Sequence, residues 1–183
     1  MAHLSIGSQT GGSIIRPASY CGVVGYKPSY GLISRSGVLK CSDKLDTMGV
    51  FGKTVKDVAL LAKSLIKKDL YDPSTVHFAA DDMLKVCDEG PYFEPKFIFY
   101  KTDKWKNIGK ESQKAFEFLI KNLKKNIEIF DTPSYFKEIP KYNKIIHETY
   151  LANNFQVYYN KDKTKLSKEM REAIGRGLKY SAK

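Results

Sequence analysis

Two short apolar segments with a helical stretch between them constrain the fold of this chain most strongly. FIFY at 97–100 and IEIF at 127–130 have the length and composition of strands. One helical face recurs between them, formed by Phe116, Leu119, Ile120 and Leu123. A strand, a helix and a strand within about 35 residues are typical of a right-handed parallel crossover. The sequence therefore predicts an α/β fold.

The other segments extend this prediction. Thr54 and Asp57 have the spacing of a helix N-cap and its third residue, and a buried helical stripe follows them: Val58, Leu61, Ala62, Leu65 and Ile66. Two more helical patterns lie around 142–149 and 166–177, after Pro133 and Pro140. Residues 1–53 are punctuated by Gly, Ser and Pro, which favours brief strands and ordered loops.

We predict a single domain over residues 1–183 with three parts. Residues 1–66 form a core that ends in the first helix. Residues 67–95, which include Asp81 and Asp82, form a surface connection with at most a short helix. Residues 96–183 hold the strand, helix and strand and the C-terminal helices.

Composition excludes several classes of function. The formal charge of +11 comes mainly from scattered lysines, with only four arginines, so we expect a solvated surface and no nucleic-acid partner. We expect no membrane partner, because no segment approaches the roughly 20 apolar residues that span a bilayer. Three widely spaced cysteines favour neither a disulfide framework nor a metal site. A reducing cytoplasm is the predicted location.

The run from Gly7 to Ala62 contains the residues that indicate a chemistry. In order, it holds GGS at 11–13, Arg16 followed by PA, CGVVGYKPSYG at 21–31, LD at 45–46 and TVKD at 54–57. This ordered set resembles the amidase signature family of serine hydrolases. The resemblance implies a partial amidase signature fold, an α/β/α sandwich around a mixed β-sheet. It also implies hydrolysis of a small carboxamide through a serine acyl-enzyme, with no cofactor and no metal.

The resemblance assigns Ser13 as the nucleophile. It assigns the oxyanion hole to the backbone N–H groups of Thr10, Gly11, Gly12 and Ser13. The assignment is chemically sensible because consecutive N–H groups in a tight loop can converge on the oxygen that becomes negative during acyl transfer. Glycines let that backbone approach a substrate without a Cβ in the way.

In the family, the base is a lysine that acts through a bridging serine, and both lie before the nucleophile. The twelve residues before Ser13 contain no lysine. Ser5, Ser8, Lys27 and the three histidines are weak substitutes. We therefore expect a fragment that is inactive alone, with exposed sheet edges and an apolar face. Its partner would be the missing N-terminal part of the same fold or a second copy of the chain.

Four other residues of the run receive expectations. Arg16, one place later than the arginine of many relatives, is a structural residue or a substrate contact. Gln9 stands where many relatives have Asp and is expected to support the loop. Cys21 is expected to be a small buried residue, and Asp46 a hydrogen-bonded turn residue.

Two alternatives stay open beside the amidase fragment. One is a non-catalytic scaffold or interaction module. The other is a protein like the A subunit of glutamyl-tRNA amidotransferase, although SQTGGSIIRPA and KLDT are closer to stand-alone amidases.

Overall fold

The computed structural model describes residues 2–78 and 83–180. It divides into two compact units, one formed by residues 1–88 with 143–183 and the other by residues 89–142. The strands of the described part are β1 (Ser5–Gln9), β2 (Val24–Tyr26), β3 (Thr47–Gly52), β4 (Phe97–Lys101) and β5 (Ile127–Asp131). Its α-helices are α1 (Ile15–Cys21), α2 (Val55–Leu65), α3 (Met83–Glu89), α4 (Lys110–Leu123), α5 (Ile139–Lys161) and α6 (Lys168–Gly177).

The larger unit is built on an antiparallel sheet in the order β1-β3-β2. The β1–β3 register runs from Ser5 opposite Phe51 to Gln9 opposite Thr47. The central strand is almost fully buried. Gly49 lies at its middle, where an added Cβ would come within 2.4 Å of the Tyr26 carbonyl oxygen and 2.5 Å of Ile14. Only glycine lets β3 pass this close to its neighbours.

Helix α2 begins and packs as predicted. Thr54 and Asp57 form a reciprocal capping box, in which each side-chain oxygen accepts the backbone N–H of the other residue at 2.8 and 3.2 Å. The buried face of α2 joins β3 in one core cluster, formed by Ile33, Met48, Val50, Val58, Ala62 and Ile66. The predicted helix and most of its stripe are confirmed.

Helices α5 and α6 form a second cluster in the same unit. Their apolar residues Leu151, Ala152, Phe155 and Ile174 are buried together. The Arg176 guanidinium donates to the Glu148 carboxylate from Nη2 at 2.7 Å and from Nε at 3.0 and 3.2 Å. Both predicted helical patterns are confirmed. However, α5 begins before Pro140, because a proline in the first helical turn has no intrahelical N–H bond to lose.

The smaller unit contains the predicted strand, helix and strand. β4 and β5 pair in parallel, with Phe97 opposite Ile127 and Lys101 opposite Asp131. Three aromatic rings, those of Phe99, Trp105 and Phe116, pack with centroids 5.4 to 6.0 Å apart. No residue between 89 and 142 reaches full burial. Parallel sheets are normally covered on both faces, so this unit leaves much apolar surface open.

The predicted α/β class is confirmed, while several details differ. In the described residues the antiparallel and parallel strands lie in separate sheets. The short helix expected within 67–95 is α3, while Asp81 and Asp82 lie outside the described residues. Helix α1 was not predicted, because it is a single 7-residue stretch in which only Ala18 is buried. The single-domain assignment stays a prediction.

Candidate active site

Ser13 lies in the turn that connects β1 to α1. The chain leaves the sheet after Gln9, turns through residues 10–14 and enters the helix at Ile15. The Ser13 side chain is exposed, and Gly11 and Gly12 precede it on the same turn. A strand, a tight turn and a helix thus present the predicted nucleophile at the surface.

This turn is fixed at both ends. At its start, the Thr10 hydroxyl donates to the Asp46 carboxylate at 2.6 Å. At its end, Ile14 is fully buried, and Gln9 Oε1 accepts the N–H groups of Ile14 and Ile15 at 2.9 and 3.1 Å. Gln9 therefore holds the downstream end of the turn through its side-chain oxygen. The Asp46 contacts confirm that this residue is hydrogen-bonded.

The fold does not itself require glycine at positions 11 and 12. Neither residue has a positive φ, and a Cβ added at either position would meet no atom within 4 Å. By contrast, Gly25 and Gly49 leave the space that the Ile14 side chain occupies. The glycines therefore have two roles: Gly25 and Gly49 make room for the buried Ile14, whereas Gly11 and Gly12 leave the outer face of the loop open.

A cavity of about 620 Å³ opens beside Ser13. The turn forms one wall with Thr10, Gly11, Gly12 and Ser13, and the other lining residues are Arg16, Cys41, Asn143 and His147. Arg16 is thus brought to the predicted nucleophile. Asn143 and His147 were missed as site residues. They lie one turn apart on α5, some 130 positions from the loop, and no local motif marks them.

The candidate substitute bases are not bonded to the nucleophile. Within residues 2–78 and 83–180, no side chain makes a hydrogen bond with Ser13 Oγ. The Lys27 ammonium donates to the Pro28 carbonyl oxygen at 2.7 Å, in its own loop. His147 faces the same cavity as Ser13 but makes no hydrogen bond with it.

Cys21 is not the small buried residue that its motif suggested. It ends the short helix α1 and is exposed, because only Ala18 of that helix faces the core. Cys41, in contrast, is half-buried and lines the cavity. Burial raises the pKa of the Cys41 thiol, and the nearby negative charge of Asp46 raises that pKa further.

We therefore expect Cys41 to resist alkylation until strongly alkaline pH. The thiolate is the reactive form, so a raised pKa moves the onset of iodoacetamide reaction to higher pH than for an ordinary thiol of pKa about 8.5. Rates would be measured for each cysteine by peptide mass spectrometry between pH 7 and 10, with Cys21 as the internal control. Superimposable pH profiles for the two thiols would contradict the prediction.

A buried ion pair joins the loop between β2 and β3 to the segment that follows α2. Arg35 and Asp72 have side chains only 6% and 2% exposed. Asp72 accepts from the Arg35 backbone N–H at 2.8 Å, from its Nε at 3.3 Å and from the Ser74 hydroxyl at 2.6 Å. Burial alone would raise the pKa of Asp72, but the hydrogen bonds from Ser74 and Arg35 outweigh it and hold this pKa far below its usual range.

Neither a metal site nor a membrane helix occurs in the described residues. Among residues 2–78 and 83–180, no group of three or more His, Cys, Asp or Glu side chains is placed to hold a metal ion. No helix of that part of the chain combines the length and apolar character needed to cross a bilayer.

Comparison with known proteins assigns the family. The family described as Amidase matches residues 1–182, and the chain therefore belongs to this amidase signature family. The mitochondrial A subunit of glutamyl-tRNA(Gln) amidotransferase from Dictyostelium discoideum is 61% identical over 71 residues, which are 39% of this chain and 13% of that protein. The A subunit of the same enzyme from Clostridium botulinum (strain Okra / Type B1) is 41% identical over 127 residues, 69% of this chain and 24% of that protein.

Solved structures agree with the fold of the family. The crystal structure of the glutamyl-tRNA(Gln) amidotransferase A subunit from Thermotoga maritima matches 97% of this chain and 38% of that one, with a TM-score of 0.75 and 31% identity. A structure described as a vestigial protein complex that reveals the origins of an s-triazine catabolic enzyme matches 98% of this chain and 39% of that one, with a TM-score of 0.85 and 22% identity. The chain spans 13% and 24% of the length of these two curated relatives.

Proposed function

We propose that this chain forms the nucleophile half of an amidase active site, with Ser13 as the acyl acceptor for a small carboxamide. The observation that supports this most directly is the turn at 10–13. It is anchored at both ends, it exposes Ser13 to a cavity, and its two glycines serve neither packing nor a positive φ. Open glycines beside an exposed serine suit a backbone that must approach a substrate.

The reaction would proceed in two steps. Ser13 Oγ attacks the amide carbon and loses its proton to a base, while the N–H groups of residues 10–13 stabilise the oxygen that becomes negative. The C–N bond then breaks, and the amine leaves with a proton. Water attacks the resulting ester, releases the carboxylic acid and restores the serine hydroxyl. In this proposal Arg16 contacts the substrate from the cavity wall, and Gln9 supports the turn.

The base comes from outside the described residues. Ser13 Oγ has no hydrogen-bond partner in residues 2–78 and 83–180, so a lysine and a bridging serine of the family's kind would be supplied by a further segment of the same fold. The chain by itself would then react slowly. A cytoplasmic location belongs to the same proposal, because the three cysteines are free, as is usual in a reducing compartment.

The exposed apolar surface of the smaller unit supports the proposal that a further segment of the amidase fold binds this chain. Ile98, Tyr100, Ile129 and Phe130 on the paired strands β4 and β5 are each at least 45% exposed. Strands of a parallel sheet rarely face water on this scale. The remaining part of an amidase fold is the partner whose chemistry suits this surface; a second copy of the chain is the alternative.

One observation favours a second candidate function. The curated relatives reported above are named as A subunits of glutamyl-tRNA(Gln) amidotransferase. In that case the same serine would release ammonia from a glutamine side chain within a complex. Glutaminase activity that arises only with the other subunits would distinguish this candidate from a stand-alone amidase.

Covalent labelling tests the proposal. The chain would be incubated with a reporter-tagged fluorophosphonate, alone and together with a separately produced amidase segment that carries the family's lysine and bridging serine. We expect an adduct on Ser13 that forms at least about 100-fold faster in the mixture, because a positioned base typically contributes 10²–10⁴-fold. The adduct would be located by peptide mass spectrometry.

Each other outcome contradicts one part of the proposal. Absence of an adduct in both samples contradicts the nucleophile assignment. Fast labelling of the chain alone contradicts the need for a further base. If that labelling disappears in His147→Gln and persists in His77→Gln, the base is the histidine that faces the cavity.

A further inference from the structure

The pairing of β1 with β3 brings an acidic residue beside the proposed oxyanion loop. The last paired residues of β1 and β3 are Gln9 and Thr47. If the same antiparallel register is continued by one residue, Thr10 lies opposite Asp46. Their side chains meet there, with the Thr10 hydroxyl donating to Asp46 Oδ1 at 2.6 Å. The contact is therefore dictated by the register of the sheet.

Asp46 joins two walls of the cavity. Its side chain is buried, with the residue 4% exposed. While Oδ1 accepts from Thr10, Oδ2 accepts the backbone N–H groups of Cys41 and Ser42 at 2.7 and 2.9 Å. Thr10 and Cys41 both line the cavity beside Ser13. Hydrogen bonds to a charged acceptor are about twice as strong as neutral ones, so this carboxylate is a firm anchor.

The segment between the anchors has few other restraints. Ile14 is fixed at the downstream end by its burial and by Gln9, and Thr10 at the upstream end by Asp46. In the described structure, the Gly12 carbonyl oxygen accepts the Arg16 backbone N–H at 2.9 Å, but no side chain bonds to the N–H groups of Gly11, Gly12 or Ser13. The orientation of their N–H groups thus depends on the two ends, and donors for an oxyanion act well only when they are oriented in advance.

We infer that Asp46 is a positioning residue for the oxyanion loop, acting through the Thr10 hydroxyl. This inference rests on the proposed function of Ser13 and adds the group that sets the geometry of its donors. Asp46 does not line the cavity and touches no reacting atom, which distinguishes it from a general acid.

Three variants test the inference in the full chain. Asp46→Asn removes the charge, and its amide nitrogen cannot accept a hydrogen bond. Thr10→Val has the same shape as threonine without the hydroxyl, and Thr10→Ser keeps the donor as the matched control. At pH 9.5, where hydroxide in the solvent can take the serine proton, we expect fluorophosphonate labelling of Ser13 to fall about tenfold or more in the first two variants. Thr10→Ser, which keeps the hydroxyl donor, is expected to recover most of the labelling rate that Thr10→Val loses.

Hydrogen exchange gives a readout that does not depend on labelling. Amides of Gly11, Gly12 and Ser13 are expected to exchange faster in Asp46→Asn and Thr10→Val but not in Thr10→Ser. Unchanged protection of Val50, the buried centre of β3, would show that the fold is intact.

The possible failures are separable. If Ser13 is labelled at the same rate in all variants, the inference is overturned while the proposed function stands. If Ser13→Ala is labelled as fast as the natural chain, the proposed function fails. Hydrogen exchange at the amides of residues 11–13 then still tests whether Asp46 positions the loop. Unchanged exchange at those amides in both Asp46→Asn and Thr10→Val overturns it.

Discussion

Replacement of Ser13 by alanine is expected to reduce fluorophosphonate labelling and amide hydrolysis by at least about a thousandfold. Both rates would be measured on the chain mixed with the segment that supplies the base. Loss of the nucleophile in serine hydrolases removes three or more orders of magnitude from turnover, and only the oxyanion donors and substrate binding persist. The oxygen that Ser13→Ala removes is the only atom able to form the acyl-enzyme in the proposed reaction. Labelling would be followed by fluorescence and hydrolysis by release of ammonia.

The stability of Ser13→Ala should match that of the natural chain. Ser13 is exposed and makes no side-chain hydrogen bond in the described structure, and such surface substitutions usually change stability by less than about 0.5 kcal/mol. Ser5→Ala, an exposed serine on β1, is the matched control and should retain full labelling. Labelling of Ser13→Ala at the natural rate would show that another residue is the nucleophile.

Replacement of Asp72 by alanine is expected to lower the free energy of unfolding by about 3–5 kcal/mol, because the Arg35 guanidinium would stay buried without its counter-charge. Arg35 also donates to the Asp43 carbonyl oxygen at 2.8 Å and to the Ser74 hydroxyl at 2.9 Å, but neither contact neutralises its charge. Urea denaturation at pH 7, followed by circular dichroism, would measure the loss. Asp88→Ala removes an exposed carboxylate that pairs with Lys56, and it should leave the midpoint unchanged.

The effect of Asp72 has a defined pH dependence. Its pKa is lowered in the folded state, so its stabilising contribution is complete above the unfolded-state value of about 3.9. That contribution is lost as the pH falls towards the lower folded pKa. The difference between the natural chain and Asp72→Ala should therefore be constant from pH 8 to pH 5 and shrink below about pH 4. A difference that grows in acid would contradict the assignment of Asp72 as ionised.

Local sequence patterns predicted the elements whose signals are local. The stripe from Val58 to Ile66, the capping box of Thr54 and the apolar strands around 97–100 and 127–130 each depend on neighbours within a few residues, and each is present. Helix α1 was missed because it has no apolar stripe. Its N-terminus depends on the Gln9 side chain, which a search for Ser, Thr, Asp or Asn caps does not find.

The sequence predicted only one wall of the candidate site, the loop at residues 10–13. The family resemblance indicated the loop at 10–13, but the opposite wall of the cavity comes from α5 and from Cys41. Asn143 and His147 are ordinary surface residues in the sequence, and only the packing of the larger unit brings them to the loop. The ion pair of Arg35 and Asp72 was missed for the same reason, since its partners are 37 positions apart.

The register of β1 against β3 also limits where the length of this chain can change. Side chains alternate between the two faces of a strand, so one residue inserted in β1 would turn Thr10 away from Asp46. One residue inserted in β3 between Thr47 and Val50 would invert the face that Val50 presents to the core relative to Asp46. The exposed turn at 36–39, in which Gly37 has a φ of 74°, lies outside the ladder. Insertions and deletions are thus compatible with the site at that turn and incompatible with it in the two paired strands.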